Sequence, residues 1–169
     1  MTVAEIYDLY YPADDALRQL LWRHSQDVAR VALEVADSHP ELSLNRSILL
    51  DGALLHDIGI CRCDAPGIHC HGSESYMQHG PLGAAMLRSL PDADARTEML
   101  ARICERHTGT GLPGYEPETL EEQVVCYADK FFSKSHPERQ RNAEQTAAML
   151  SRFGDASVER FMEWHYRFG

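Results

Sequence analysis

The chain has 169 residues, 44% of them apolar and 25% charged, a size and balance that suit one compact domain with a real core. Its formal net charge is −10, from 26 acidic against 16 basic residues, which argues against a nucleic-acid polymer or an acidic membrane surface as partner. A small anionic substrate stays open, because a bound cation dominates its local field whatever the overall charge.

The N-terminal segment has neither a basic stretch nor a continuous apolar run, so no signal peptide is expected. No apolar run reaches the roughly 18 residues of a membrane span. Five cysteines, an odd number with three of them between positions 61 and 70, point to reduced thiols and a cytoplasmic location rather than a disulfide framework.

Helical periodicity dominates, and strand signals are nearly absent. Leu17, Leu20, Leu21, Val28, Val31 and Val35 recur at steps of three and four, which predicts a helix over 13–38. Pro12, Asp14 and Asp15 suit its first turn, and Pro40 lies just beyond its end. Asn45 caps a second helix that runs through Ile48, Leu49, Ala53 and Leu54 to Asp57, with Gly59 stopping it. Residues 60–79 show no period and read as a long loop, of the kind that forms lids or binding surfaces. Helices follow over 81–90 and 92–107, then a turn at 108–111 and a loop at 111–117 that carries Tyr115 as a candidate rim residue. Three more helices are expected over 119–134, 137–153 and 155–166. The fold class is therefore all-α, at least seven helices in one domain spanning 1–169, without internal repeats. The aromatic tail Phe161, Trp164, Tyr166 and Phe168 packs on the core or on a partner; oligomeric state is not legible.

His56-Asp57 follows the apolar Ala53-Leu54-Leu55, and two such residues are costly to bury without a partner. A metal ion resolves that cost for both. The alternative is a helix C-terminus at which His favours the dipole and Asp caps a neighbour. Further polar residues fall on apolar faces. His24 shares a face with Leu21 and Val28, His107 continues that of Leu100 and Ile103, and Asp129 lies one turn from Val125 and Phe132. His79 precedes Gly80 and the helix at Pro81. A single inward histidine is usually a satisfied core residue, whereas isolated carboxylates avoid burial. Several such coincidences on separate helices favour metal ligands, and imidazoles with carboxylates suit Mn, Fe, Zn and Ni.

The order His24, His56-Asp57, His79, His107, Asp129 resembles the HD phosphohydrolase superfamily, and His-Asp-Ile-Gly at 56–59 resembles its HDIG-type members. The likeness runs from His24 to Lys130. The pair His79 and His107, with His107-Thr108 and Ala128-Asp129-Lys130, is similar to binuclear members, small bacterial diadenosine-tetraphosphate hydrolases among them. The resemblance implies a compact helical bundle and a metal-dependent phosphohydrolase acting on a nucleotide or other small phosphate ester, as phosphomonoesterase or as phosphodiesterase or pyrophosphohydrolase. It implies two divalent transition metal ions, Fe or Mn first, with Zn, Ni and Co also compatible. His24, His56, Asp57 and Asp129 would bind one ion, His79 and His107 the other, with Asp57 bridging. Such a pair activates a hydroxide for in-line attack on phosphorus and stabilises charge on the phosphoryl oxygens. Asp57 and Lys130 are the candidate catalytic residues, Lys130 by neutralising a phosphate; a solvated helix-surface lysine is its other reading.

Between the His-Asp pair and His79 the chain departs from familiar members. Cys61, Cys63, His69, Cys70 and His71 offer a separate zinc site at poorly matched spacing, and a lid over the metals or an inert loop are the other readings. In the lid reading, Arg62 and Tyr76 are candidate substrate contacts. Two further functions keep the same ligands: a di-iron oxygenase of the HD type, and a non-catalytic nucleotide-binding module.

Overall fold

The computed structural model describes residues 1–109 and 112–169. The turn at 108–111 and the start of the 111–117 loop thus fall partly outside the described residues. Helix α1 (Val3–Tyr10) opens the chain on a capping box, in which the Thr2 hydroxyl accepts from Glu5 N and the Glu5 carboxylate accepts from Thr2 N. Apolar periodicity does not reveal this helix, because eight residues hold only about two turns.

Helix α2 (Ala16–Ser38) starts at the Asp15 cap, three residues later than its apolar stripe suggests. It buries Leu21, Val28, Val31 and Val35. Helix α3 (Arg46–Leu55) begins at Asn45, whose side chain accepts from Ile48 N at 3.2 Å. The segment after it is built from short turns rather than an open loop. A 3-10 turn (Ile58–Arg62) leads to a minimal antiparallel pair, β1 (Asp64–Ala65) with β2 (Cys70–His71). Gly72 N and Ser73 N return bonds to Cys63 O and Arg62 O, fastening the segment to itself.

Helix α4 (His79–Arg88) starts two residues before Pro81, so His79 is its first residue. Helix α5 (Ala95–Arg106) is capped by Asp94. Arg88 on α4 reaches Glu98 at 2.7 Å and Glu105 at 2.8 Å, both on α5, tying the two helices together. Helix α6 (Leu120–Asp129), on a Thr119–Glu122 capping box, stops five residues before the expected end. Helix α7 (Ala143–Leu150) starts six residues late. Pro137 disfavours helix at His136, and Arg141 supplies the alternative bonding: its N donates to Phe131 O at 2.8 Å, and its guanidinium to Lys130 O at 3.0 Å. Helix α8 (Asp155–Phe168) closes the chain.

In space α2 packs on α3 and α6, and α5 packs on α3 and α4. Leu21, Leu49, Leu55, Ile58, Leu87 and Ile103 are fully buried between them. From the tail, Phe161 and Phe168 pack against Tyr127 of α6, and Trp164 packs partly buried on the core, whereas Tyr166 is 94% exposed. Among the described residues no helix is long and apolar enough to cross a membrane.

Candidate metal centre

Helix ends build the site. His56 caps the C-terminus of α3, and Asp57 leaves helical geometry at φ −106° and ψ 13°, so both adjacent side chains turn inward. Helix α1 fixes this corner from outside: the Tyr7 hydroxyl donates to Leu54 O at 2.9 Å and the Tyr11 hydroxyl to Ile58 O at 2.7 Å. His79 opens α4, His107 caps α5 and Asp129 closes α6; His24 alone comes from mid-helix, on α2. Gly59 sets the spacing. A Cβ there would lie 2.2 Å from His79 O and 2.5 Å from Gly83 N, backbone that cannot yield, so only glycine lets the turn after Asp57 touch α4.

The six ligand-type residues come together as two groups that share Asp57. His24, His56, Asp57 and Asp129 form one, and Asp57, His79 and His107 the other, with the ligand atoms of each group within 4.8 Å of one another. Around Asp57 Oδ2 lie His56 Nε2 at 3.0 Å and His24 Nε2 at 3.2 Å. Around Oδ1 lie His79 Nε2 and His107 Nε2, each at 3.1 Å. Asp129 Oδ1 is 3.0 Å from His24 Nε2 and 3.3 Å from His56 Nε2. His24, His56, Asp57, His79 and His107 are all buried, and the Asp129 side chain is 18% exposed.

The donor chemistry fits a divalent cation. Nδ1 of His56 donates to Ala53 O at 2.6 Å, Nδ1 of His107 to Cys104 O at 2.6 Å, and Nδ1 of His79 to Tyr76 O. These bonds fix the ring orientation and direct each Nε2 to the centre, the arrangement that ligating histidines adopt. Burial pushes His107 down to about 4, against the opposing pull of Asp57, so the ring is neutral at pH 7. Its Nε2 is then a lone pair facing a carboxylate oxygen at 3.1 Å and His79 Nε2 at 3.0 Å. Both Asp57 oxygens and His56 Nε2 are buried without a well-directed hydrogen bond, although ion-pair contacts surround them. Polar atoms that converge this way are stable around a cation. Burial opposes charge on His56, but Asp57 and then Asp129 push its pKa up to about 10. Burial likewise would raise Asp57, yet His56 and Lys134 reverse this and hold it well below the usual carboxylate range.

Lys134 carries no signal in the sequence. On an unbroken helix to 134 it would point away from Asp129. Because α6 stops at Asp129, the turn that follows carries its ammonium to 2.6 Å from Asp57 Oδ2. The centre opens on a cleft of about 470 Å³ whose wall includes Tyr76, Lys130, Lys134, Arg141 and Arg152. Tyr76 is stacked on His79 at 4.4 Å between ring centroids. Lys130 donates to His107 O at 3.2 Å and Thr108 O at 2.8 Å, so it fastens the end of α5 while it lines the cleft. It is not the freely solvated lysine of the alternative reading.

Arg62 corrects an expectation. It lines a separate groove with Tyr10, Glu74 and Met86, because the 3-10 turn that carries it turns its side chain away from the cleft. Tyr115 is absent from the cleft wall as well. Ala65, Gly67, Ile68 and Tyr76 place one side of the 61–76 segment on the cleft, so it borders the centre. No cysteine joins a ligand group among the described residues. Cys63 and Cys70 are buried, and burial raises the Cys70 thiol to about 11, so these thiols act as core residues.

An all-helical fold around a buried His/Asp centre defines a divalent-metal-binding protein. Residues 21–133, more than half of the chain, match the family described as HD domain, and the chain belongs to that family, within the HD-domain metal-dependent phosphohydrolase superfamily. It is similar, at 34% identity over 133 residues, to a tRNA (cytidine(56)-2'-O)-methyltransferase of Picrophilus torridus, with 72% of this chain and 33% of that protein covered. The methyltransferase of the same description from Thermoplasma volcanium is 29% identical over 125 residues, covering 67% of the chain and 32% of that protein. Uncharacterized protein MJ0778 of Methanocaldococcus jannaschii is 36% identical over 126 residues, covering 62% of the chain and 66% of that protein. The chain thus spans about a third of the length of the two methyltransferases it matches.

Proposed function

We propose that the protein is a phosphohydrolase that acts on a nucleotide or other small phosphate ester at a centre of two divalent ions, Fe or Mn first among the candidates. The carrying observation is a buried His/Asp centre opening on a cleft lined by Lys130, Lys134, Arg141 and Arg152, in a chain whose net charge is −10. His24, His56, Asp57 and Asp129 would hold one ion, and Asp57, His79 and His107 the other. Bound there, such ions supply Lewis acidity toward phosphoryl oxygens and lower the pKa of water.

The chain's own residues do the rest. Asp57 offers one oxygen to each group, so a single carboxylate sets the spacing of the two halves. The backbone carbonyls of Ala53, Tyr76 and Cys104 accept from Nδ1 of three imidazoles, so each ring is held with its Nε2 toward the centre. Tyr76 covers His79 and shields that side of the centre from water. Arg141, held at one edge by Lys130 O and Phe132 O, has its guanidinium oriented before an anion arrives. The methyl transfer in the names of two relatives belongs to proteins of which this chain matches a third, and nothing in this cleft derives it.

The test is a substrate screen with metal analysis on one anaerobically purified sample. Loaded with Mn or Fe, the protein should release phosphate or nucleotide from members of a panel of phosphomonoesters and dinucleoside polyphosphates. A fully loaded protein inert across that panel would overturn the reading.

A further inference from the structure

Asp57 Oδ2 has more claimants than it can serve. His56 Nε2 and His24 Nε2 approach it at 3.0 and 3.2 Å, and Lys134 Nζ lies at 2.6 Å. A cation held by His24, His56, Asp57 and Asp129 needs that same oxygen. A divalent ion and an ammonium in contact with one carboxylate oxygen repel each other strongly in a buried setting. From this same position Lys134 also borders the cleft. Its side chain lines the cleft beside Arg141, and its ammonium lies over the Tyr76 ring, 5.7 Å from the centroid. It sits in the turn after α6, outside any helix, on a flexible four-carbon stem.

We propose that Lys134 is the internal counter-cation of Asp57, displaced by a metal ion into the cleft, where its ammonium binds the phosphoryl group of the substrate. A buried carboxylate short of positive charge is strongly destabilising, and Lys134, beside His56, supplies that charge from the chain itself. Metal loading then has two consequences at once: it assembles the centre and delivers a positive charge to the substrate side. The delivery half rests on the phosphohydrolase reading, whereas the competition half depends only on the contacts of Asp57.

The experiment compares wild type with Lys134→Met and Lys134→Gln, stripped by chelator and checked for helical content. Lys134→Gln is the second variant because its amide still donates to Asp57 without bringing a charge. Mn2+ is titrated calorimetrically, and inorganic phosphate is then titrated into the Mn-loaded proteins. Both variants should bind their tighter Mn2+ ion about tenfold more strongly than wild type, the scale of a typical coupling between two ligands. Phosphate should bind each Mn-loaded variant about tenfold more weakly, the scale of one charge-assisted bond. The stripped variants should also melt at lower temperature than stripped wild type. Unchanged or weaker Mn2+ binding in both variants overturns the proposal, and unchanged phosphate affinity overturns the delivery half. A wild type that binds Mn2+ but neither binds nor hydrolyses phosphates sinks the phosphohydrolase reading and delivery together, while the Mn2+ comparison still decides the competition.

Discussion

Asp57 serves two masters through two oxygens, and the histidines around it divide between them. His79 and His107 meet Asp57 at Oδ1, so losing one of them should spare the other half. Metal analysis under replete conditions should find about two ions per chain in wild type, about one in His107→Ala, and fewest in Asp57→Ala. Equal content in wild type and His107→Ala would leave one ion and return His79 and His107 to other work. Protonation gives an independent check. His56 is pushed up to about 10 and so carries a proton at pH 7 that a cation must expel, whereas His107, pushed down to about 4, has none to lose. Mn2+ titration of stripped protein at pH 7, in buffers of different ionisation enthalpy, should therefore report net proton release. Release should diminish as pH rises toward the His56 value. At this scale the sequence was informative where an ionisable residue fell on an apolar face, as His24 and His107 do. It was silent on Lys134, whose contact with Asp57 is made by a chain reversal that no periodicity encodes.

Helix ends carry the site, so the elements matter mainly for where they stop. Ends marked by a capping side chain were legible: Asn45 before α3 and the apolar run up to His56 are both in the sequence as local signals. The end of α6 was not, because Phe131 and Phe132 continue an apolar pattern after the α-helical bonding has given way to tighter turns, and Arg141 takes up the carbonyls left over. The 61–78 segment was illegible for a related reason: its order comes from 3-10 turns and crossed backbone bonds such as Gly72 N to Cys63 O, which leave no apolar period. Gly59 tests the join between two elements. A methyl group there collides with the backbone of α4 at His79 and Gly83, so the turn and the helix must separate. Gly59→Ala should cost roughly 1–3 kcal/mol in urea unfolding, the usual penalty of overpacking. Because the same shift moves His79 from Asp57, it should also weaken the second ion more than the first. A variant with wild-type stability and metal content would show that α4 has freedom the contact denies.

At the scale of the whole molecule, charge is segregated. The chain carries −10 overall, yet Lys130, Lys134, Arg141 and Arg152 line one cleft, and among the described residues only Lys134 of the four contacts a carboxylate at ion-pair distance. Arginines elsewhere, such as Arg88, Arg96 and Arg102, are paired with acids on neighbouring helices. Such a field draws a small anion into the cleft and repels a long one whose remaining charges must lie along the acidic exterior. Two outcomes follow for different ligands. Arg141→Met should raise KM for a small phosphate ester roughly tenfold with a smaller change in kcat, as expected when a preorganised ground-state contact to an anion is lost. Added salt should raise the wild-type KM and affect the variant less, because part of the attraction is already gone. Transfer RNA deserves the parallel measurement, since two relatives carry it in their descriptions. Electrophoretic mobility of a tRNA should be unchanged by micromolar protein at physiological salt, and Arg141→Met should make no difference to it. A tRNA shift that Arg141→Met abolishes would instead make the cleft an RNA site, and the small-ester reading would have to give way to a terminal or ribose phosphate of RNA as its ligand.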